Sequence, residues 1–379
     1  MISSKWIELY QYLKGQISQL PDSTDIVEPL NERLLFLKVQ FPKQNQDQSM
    51  SWESDDSRSN SHNDWLEHEA FTFVISDILA KHSLTQAQLK FLFETLMAAQ
   101  ICQLAMVAIN KHKHQLSTEE FKTYCGLVYQ QLGDYEMAKS MFEEAIALNA
   151  HNPMLHCHLG FTYLYLGQSE MAETSFKQSI ATDPDFIGGY QNLAGLYYQE
   201  GNFELAAQLA EQAYNKDQSL VSTYITATSS YLALGNSEQA DNWIARAFEN
   251  QISSIELVRL AGICAHQLGR LEEGLEALNQ YLSENPNNYD VLNIRAHIKA
   301  DLKLFDQLEP DVKQLLTFEP HDEWGLEQLF LCYFHKGQWV EAQHIMVELN
   351  KLSGHYKITH RALIDTINKK LSLDIVELN

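Results

Sequence analysis

A glycine returns every 34 residues through the middle of this chain: Gly133, Gly167, Gly201, Gly235 and Gly269. A fixed period of that length leaves few folds open, because each period becomes one supersecondary unit that buries its apolar face only by stacking on its neighbours. Five windows keep the register without insertion: 119–152, 153–186, 187–220, 221–254 and 255–288. Numbering each window from its first residue puts the glycine at position 15.

The other recurring positions define the unit. Position 8 is small (Gly126, Gly160, Ala194, Thr228, Gly262), and so is position 20 (Ala138, Ala172, Ala206, Ala240, Gly274). Position 11 is a large ring in four windows (Tyr129, Tyr163, Tyr197, Tyr231). This reads as helix, turn, helix. The glycine ends the first helix in a left-handed residue, and Asp134, Asn202 and Asn236 stand where they cap the second. Small side chains at positions 8 and 20 are expected to face each other, Gly126 against Ala138, so that the two helices approach closely. Pro184 and Pro286 at position 32 close one repeat and lead into the next helix.

With Gly126, Tyr129, Gly133, Ala138, Phe142 and Ala145 in one window and Gly160, Tyr163, Gly167, Ala172, Phe176 and Ser179 in the next, the pattern resembles the tetratricopeptide repeat (TPR) family. Two weaker windows extend the resemblance over 119–356. Window 289–322 keeps Ala296 and Pro320 but has Lys299 and Leu308 at positions 11 and 20, and window 323–356 recovers Tyr333, Gly337, Ala342 and Met346. The resemblance implies an all-α fold: a right-handed superhelical solenoid of antiparallel helix pairs. Its concave inner face would hold peptides or partner domains and would carry no catalysis. A helix at about Thr359 to Leu371, within residues 357–379, stands where a solenoid needs a capping helix.

Residues 1–118 carry no such pattern. Trp6, Leu9, Tyr10, Leu13, Ile17 and Leu20 predict a helix over 3–20, and Leu30, Leu34, Leu37 and Phe41 another over 26–40. Residues 42–63 are almost wholly polar and predict a disordered linker after the N-terminal helices of 1–41. Residues 64–118 are predicted as a helical cap region, with helices near 64–81 and 86–111.

Charge and motifs narrow the function. With 27 Lys and Arg against 50 Asp and Glu, the net charge of −23 repels phosphate backbones, so nucleic acid is not an expected partner. The longest uncharged apolar run, Thr95 to Asn110, is shorter than the ~20 residues that span a bilayer. No membrane insertion is expected, the start lacks an apolar signal core, and the expected location is cytoplasmic. The five cysteines form no CxxC pair and read as small buried residues. His156-Cys157-His158 looks like a metal cluster, but neighbours on a helix point about 100° apart. His156 falls at a core position, so neither a metal nor a cofactor is expected. GxxxxGK[ST], HExxH, GxSxG and GxGxxG are all missing from the sequence, and the chain is read as non-catalytic.

In the family, positions 2, 5, 9, 12 and 13 of the first helix line the concave face. They give the predicted peptide-binding residues: Leu127, Phe161, Leu164, Tyr165, Gln191, Tyr198, Ile225, Leu232 and Ile263. One class of TPR domain grips the terminal carboxylate of chaperone tails with lysines, arginines and asparagines on this stripe. The first four windows have no Lys or Arg there. The expected partner is therefore a protein or peptide with an apolar segment, held by a protein–protein interaction scaffold. Two alternatives stand beside it: a bacterial secretion-type TPR chaperone for hydrophobic segments of an exported protein, and an enzyme or regulatory activity in residues 1–118 targeted by the array. An apolar stripe is also what a homo-oligomer contact, or this chain's own residues 1–118, would cover.

Overall fold

The computed structural model describes residues 85–98, 102–352, 356 and 360–377. The helices predicted over 3–20, 26–40 and 64–81 and the linker 42–63 lie outside the described residues. Within the described residues the chain forms seventeen α-helices and one short 3-10 turn, Lys113–Gln115, and no strand. The chain divides into two compact units at Gly189/Tyr190, inside α7 (Ile187–Gln199).

The first unit holds α1 (Gln86–Ala98), α2 (Cys102–Lys111), α3 (Thr118–Gln131), α4 (Tyr135–Leu148), α5 (Pro153–Tyr165) and α6 (Ser169–Thr182). Helices α3 and α4 pack as the hairpin of the first repeat, and α5 and α6 as that of the second. The sequence predicted one helix over 86–111. The structure makes it two, packed on each other. The reason is burial: Leu89, Phe93 and Leu96 of α1 and Leu104, Ala108 and Ile109 of α2 share one core with Val128 of α3. A single straight helix could not bring both sets to one place. This extra pair keeps the 34-residue spacing to the first repeat. Gln86 Nε2 donates to Glu120 at 3.3 Å, and Gln131 Nε2 donates to the Met97 carbonyl at 2.9 Å.

Local chemistry sets the helix ends. Ser117 and Glu120 form a reciprocal capping box at the start of α3. Asp134 caps α4 by accepting from Met137 N at 3.1 Å, and Asn236 accepts from Gln239 N at 3.1 Å. Asn202, expected to do the same, makes no side-chain cap bond. The position-15 glycines all have φ between +70° and +80°, as a left-handed helix end requires.

The close approach expected between positions 8 and 20 is seen in the fifth repeat, and the structure adds a second neighbour of position 8, the side chain at position 24. A Cβ built on Gly126 would lie 2.6 Å from the Phe142 ring, its nearest neighbour. Gly160 meets Phe176 and Gly262 meets Leu278 in the same way. In these three repeats position 8 is small because the large side chain at position 24 presses on it. Position 20 is small because it comes up against position 8 itself: a Cβ on Gly274 stands 3.1 Å from the Gly262 carbonyl oxygen, so the backbones approach closely there.

The second unit continues with α8 (Phe203–Lys216), α9 (Val221–Ala233), α10 (Ser237–Glu249), α11 (Ile255–Gln267), α12 (Leu271–Glu284), α13 (Tyr289–Asp301), α14 (Phe305–Phe318), α15 (Glu323–His335), α16 (Trp339–Leu352) and α17 (Arg361–Glu377). From α8 to α16, each helix packs on the next. The degenerate sixth window, α13 and α14, keeps the hairpin by other means. Lys299 replaces the position-11 tyrosine and is buried, its Nζ 2.7 Å from Asp311 Oδ2. Arg295 grips the same carboxylate through Nε at 2.8 Å and Nη2 at 2.7 Å. Burial pulls the Lys299 pKa down and outweighs the opposing pull of Asp311. Lys303 replaces the loop glycine and takes φ +55°. At the end, α17 is longer than the predicted Thr359 to Leu371, and buries Ile367 against Leu326, Phe330, Met346 and Leu349.

Candidate functional site

Helix α5 separates two kinds of side chain. Tyr163 is 6% exposed and donates its hydroxyl to Glu143 at 3.1 Å. Met154, Phe161 and Tyr165 are 50%, 39% and 64% exposed. Residues 154, 161 and 165 lie within about 60° of each other at 100° per residue, so the three form one apolar stripe on the side of α5 away from its core. The stripe runs about 17 Å along the helix at 1.5 Å per residue.

Phe161 rests edge-on against Phe176, ring centroids 5.6 Å apart. Tyr165 stacks flat on Tyr135, at 4.6 Å and 1°. Leu164 is half-buried beside them, and Leu127 of α3 packs against the first core cluster. Cys157, at position 5 of the predicted stripe, does not belong to the open face. It is buried, and its thiol donates to Ser179 Oγ at 3.2 Å.

In the second unit, Tyr198 is 37% exposed and its ring leans on Phe203 at 5.3 Å. Gln191 is committed internally, donating to Ser222 Oγ at 2.6 Å. Ile225 and Leu232 are half-buried edges of two core clusters, and Ile263 is half-buried too. Arg259, the first cation on the predicted stripe, is held by Glu256 at 2.9 Å. Of the nine predicted residues, Phe161, Tyr165 and Tyr198 are thus the exposed ones.

The sequence reading missed the partners of these rings. Position 17 opens each second helix, and in three repeats it meets position 13 of the following one. Tyr135 stacks on Tyr165, Ser237 donates to Gln267 at 2.6 Å, and Phe305 stacks on His335 at 4.1 Å. The signal was present in the register, since Tyr135, Phe203, Phe305 and Trp339 all fall at position 17.

The remaining polar groups have structural partners. Gln130 Nε2 reaches the His158 carbonyl at 3.4 Å and Thr162 Oγ1 at 3.3 Å, tying α3 to α5. His158 stacks on Phe142, and burial lowers its pKa to about 4. His156 Nε2 lies 3.3 Å from the Ala150 carbonyl. The described residues contain no group of three or more His, Cys, Asp or Glu able to hold a metal ion. All five cysteines are free and buried. No helix among the described residues is long and apolar enough to cross a membrane.

Comparison with known proteins bears on this architecture. Residues 126–152 and 155–186 match the tetratricopeptide repeat. Among curated proteins, none matches the chain. Many solved structures are similar in fold. A tetratricopeptide repeat protein from Parabacteroides merdae is 17% identical, covering 66% of this chain and 98% of its own, at a TM-score of 0.46. YrrB, described as a TPR protein with an unusual peptide-binding site, is 16% identical over 49% of this chain and 96% of its own, at 0.44. A thermophilic TPR protein of Thermus thermophilus is 23% identical over 48% and 98%, at 0.37. The matched repeats, the 34-residue register and the consecutive helix hairpins agree: residues 126–152 and 155–186 match tetratricopeptide repeats, and the helices after them keep the same hairpin pattern.

Proposed function

We propose that the chain is a non-catalytic interaction scaffold that holds an apolar or aromatic segment of a partner protein on the outward stripe of its first helices. The carrying observation is the split on α5. A fold needs Tyr163 buried; it does not need Met154, Phe161 and Tyr165 in water. Leaving such rings exposed wastes apolar burial unless a partner covers them. Tyr165 also arrives pre-positioned. Its stack on Tyr135 fixes the ring, so less freedom is lost on binding. Tyr198, with Phe203 behind it, offers a similar ring in the second unit. The working array in this reading is 119–356, preceded by the helix pair of 86–111 and closed by α17.

The test is capture of a partner from the native cell extract by full-length protein and by Tyr165→Ala. Aromatic anchors cost about 2 kcal/mol or more of binding when truncated, roughly thirtyfold in affinity. Capture should fall by that order while the thermal melt stays at the parent's midpoint. Unchanged capture by a folded Tyr165→Ala protein would remove the stripe from the binding surface.

A further inference from the structure

The stripe on α5 carries information about the charge of what it holds. Between residues 119 and 189 the chain has no arginine and three lysines, against ten Asp and Glu. Each lysine is already neutralised: Lys122 by Glu144 at 2.6 Å, Lys139 by Glu136 at 2.9 Å, and Lys177 by Glu173 at 2.6 Å. No cation of these two repeats is left over for an acidic ligand.

Carboxylates without such a partner stand at both ends of the stripe. At the Met154 end, Glu119 Oε1 accepts from Asn152 Nδ2 at 3.2 Å, and Asn152 is the residue that caps α5. Glu120 follows it, at the same repeat position on α3 that Met154 takes on α5. At the Tyr165 end, Asp134 caps α4 directly before Tyr135, the ring on which Tyr165 lies. The surface thus reads, along about 17 Å, as acid, apolar and aromatic side chains, then acid.

We propose that this surface takes a cationic amphipathic segment: apolar side chains on the stripe, with Lys or Arg flanking them on both sides. The proposal rests on the preceding reading of the stripe and adds the chemistry of the partner. Opposite charge steers association and fixes register. The open face of Tyr165 suits an arginine or lysine side chain as well as an apolar one. An acidic segment would meet like charge at both ends and be rejected. That is the reverse of a carboxylate clamp.

Three synthetic peptides test it on the full chain by fluorescence anisotropy. Each is an amidated, fluorescein-labelled 16-mer with the same Leu and Phe anchors. One carries Lys at every flanking position, one Glu, and one Gln. The Lys peptide should bind more tightly than the Gln peptide, the Glu peptide should not bind, and raising salt should weaken the Lys peptide alone. Glu120→Gln with Asp134→Asn keeps both helix caps and removes only charge. It should weaken the Lys peptide by about threefold and leave the Gln peptide and the thermal melt unchanged. Tyr165→Ala should weaken the Lys and Gln peptides alike, by about thirtyfold. If the Glu peptide binds as well as the Lys peptide and both depend on Tyr165, the charge proposal fails and the stripe reading stands. If the Lys peptide binds but ignores both Phe161→Ala and Tyr165→Ala, both fail. Failure of all three peptides to bind also overturns the proposal.

Discussion

Gly126→Leu should destabilise the first repeat, and the cost should be relieved by removing the ring of Phe142. Gly126 packs so tightly that even a methyl group would stand 2.6 Å from Phe142 Cε1, with two more ring atoms at 2.9 Å. Ordinary van der Waals contact begins near 3.4 Å, so a fully buried ring must shift by most of an ångström. Leucine adds three further carbons beyond that methyl. Overpacking of this kind costs about 1–3 kcal/mol, and the fourfold carbon excess puts the cost near the upper end. Phe142→Ala alone should cost about 3–5 kcal/mol. In the double variant the leucine side chain occupies space the ring vacates, so the two costs should not add. The expected shortfall from additivity is about 2 kcal/mol, within the range of contacting pairs. Urea unfolding followed by circular dichroism gives all three values. Additive costs would show that position 8 does not meet position 24, and the packing account of the repeat would fall.

Other consequences are as specific. Lys303 takes φ +55° where the other repeats have glycine, so Lys303→Gly should stabilise the sixth repeat by about 1 kcal/mol in chemical denaturation. Asp311→Ala would leave Lys299 and Arg295 without their shared carboxylate and should cost about 3–5 kcal/mol in the same assay. His158 is buried neutral with a pKa of about 4, against an ordinary 6.5. The unfolded chain therefore binds more protons between those values, and stability present above pH 6.5 should fall by about 3 kcal/mol as the pH drops to 4. His158→Phe, which keeps a ring on Phe142, should flatten that part of the pH profile.

The fold was legible because a 34-residue period is visible without knowing any contact. The loop glycines, the buried Tyr163 and Tyr197 at position 11 and the caps at Asp134 and Asn236 follow from local chemistry, and the structure has them. What sequence could not resolve was which small residue faces which large one. Gly126 is as compatible with Ala138 as with Phe142 until the helix rotation is known. The pair α1–α2 was hidden for a related reason. It keeps the spacing but lacks the glycine and tyrosine markers, so 86–111 read as one helix. The sixth window looked degenerate because Lys299 and Leu308 stand at positions 11 and 20, where other windows have a tyrosine and a small residue. Lys299 is buried and satisfied by Asp311, a compensation that no periodicity shows. At the candidate site, the stripe rule grouped exposed and covered side chains together. Leu127 and Leu232 sit at the same repeat positions as the exposed Phe161 and Tyr198 but close against core clusters.

The central claim is that one helix, α5, uses one face to hold the fold and another to hold a partner. Phe161→Ala and Tyr163→Ala, compared by thermal melt and by partner capture, test it most directly. Tyr163→Ala removes a buried ring and its hydrogen bond to Glu143 and should cost about 3–5 kcal/mol of stability. Phe161→Ala forfeits an edge contact with Phe176, worth about 0.5–1.5 kcal/mol, and should lose capture instead. A Phe161→Ala protein that melts as early as Tyr163→Ala, or that captures its partner as well as the parent, would contradict the account.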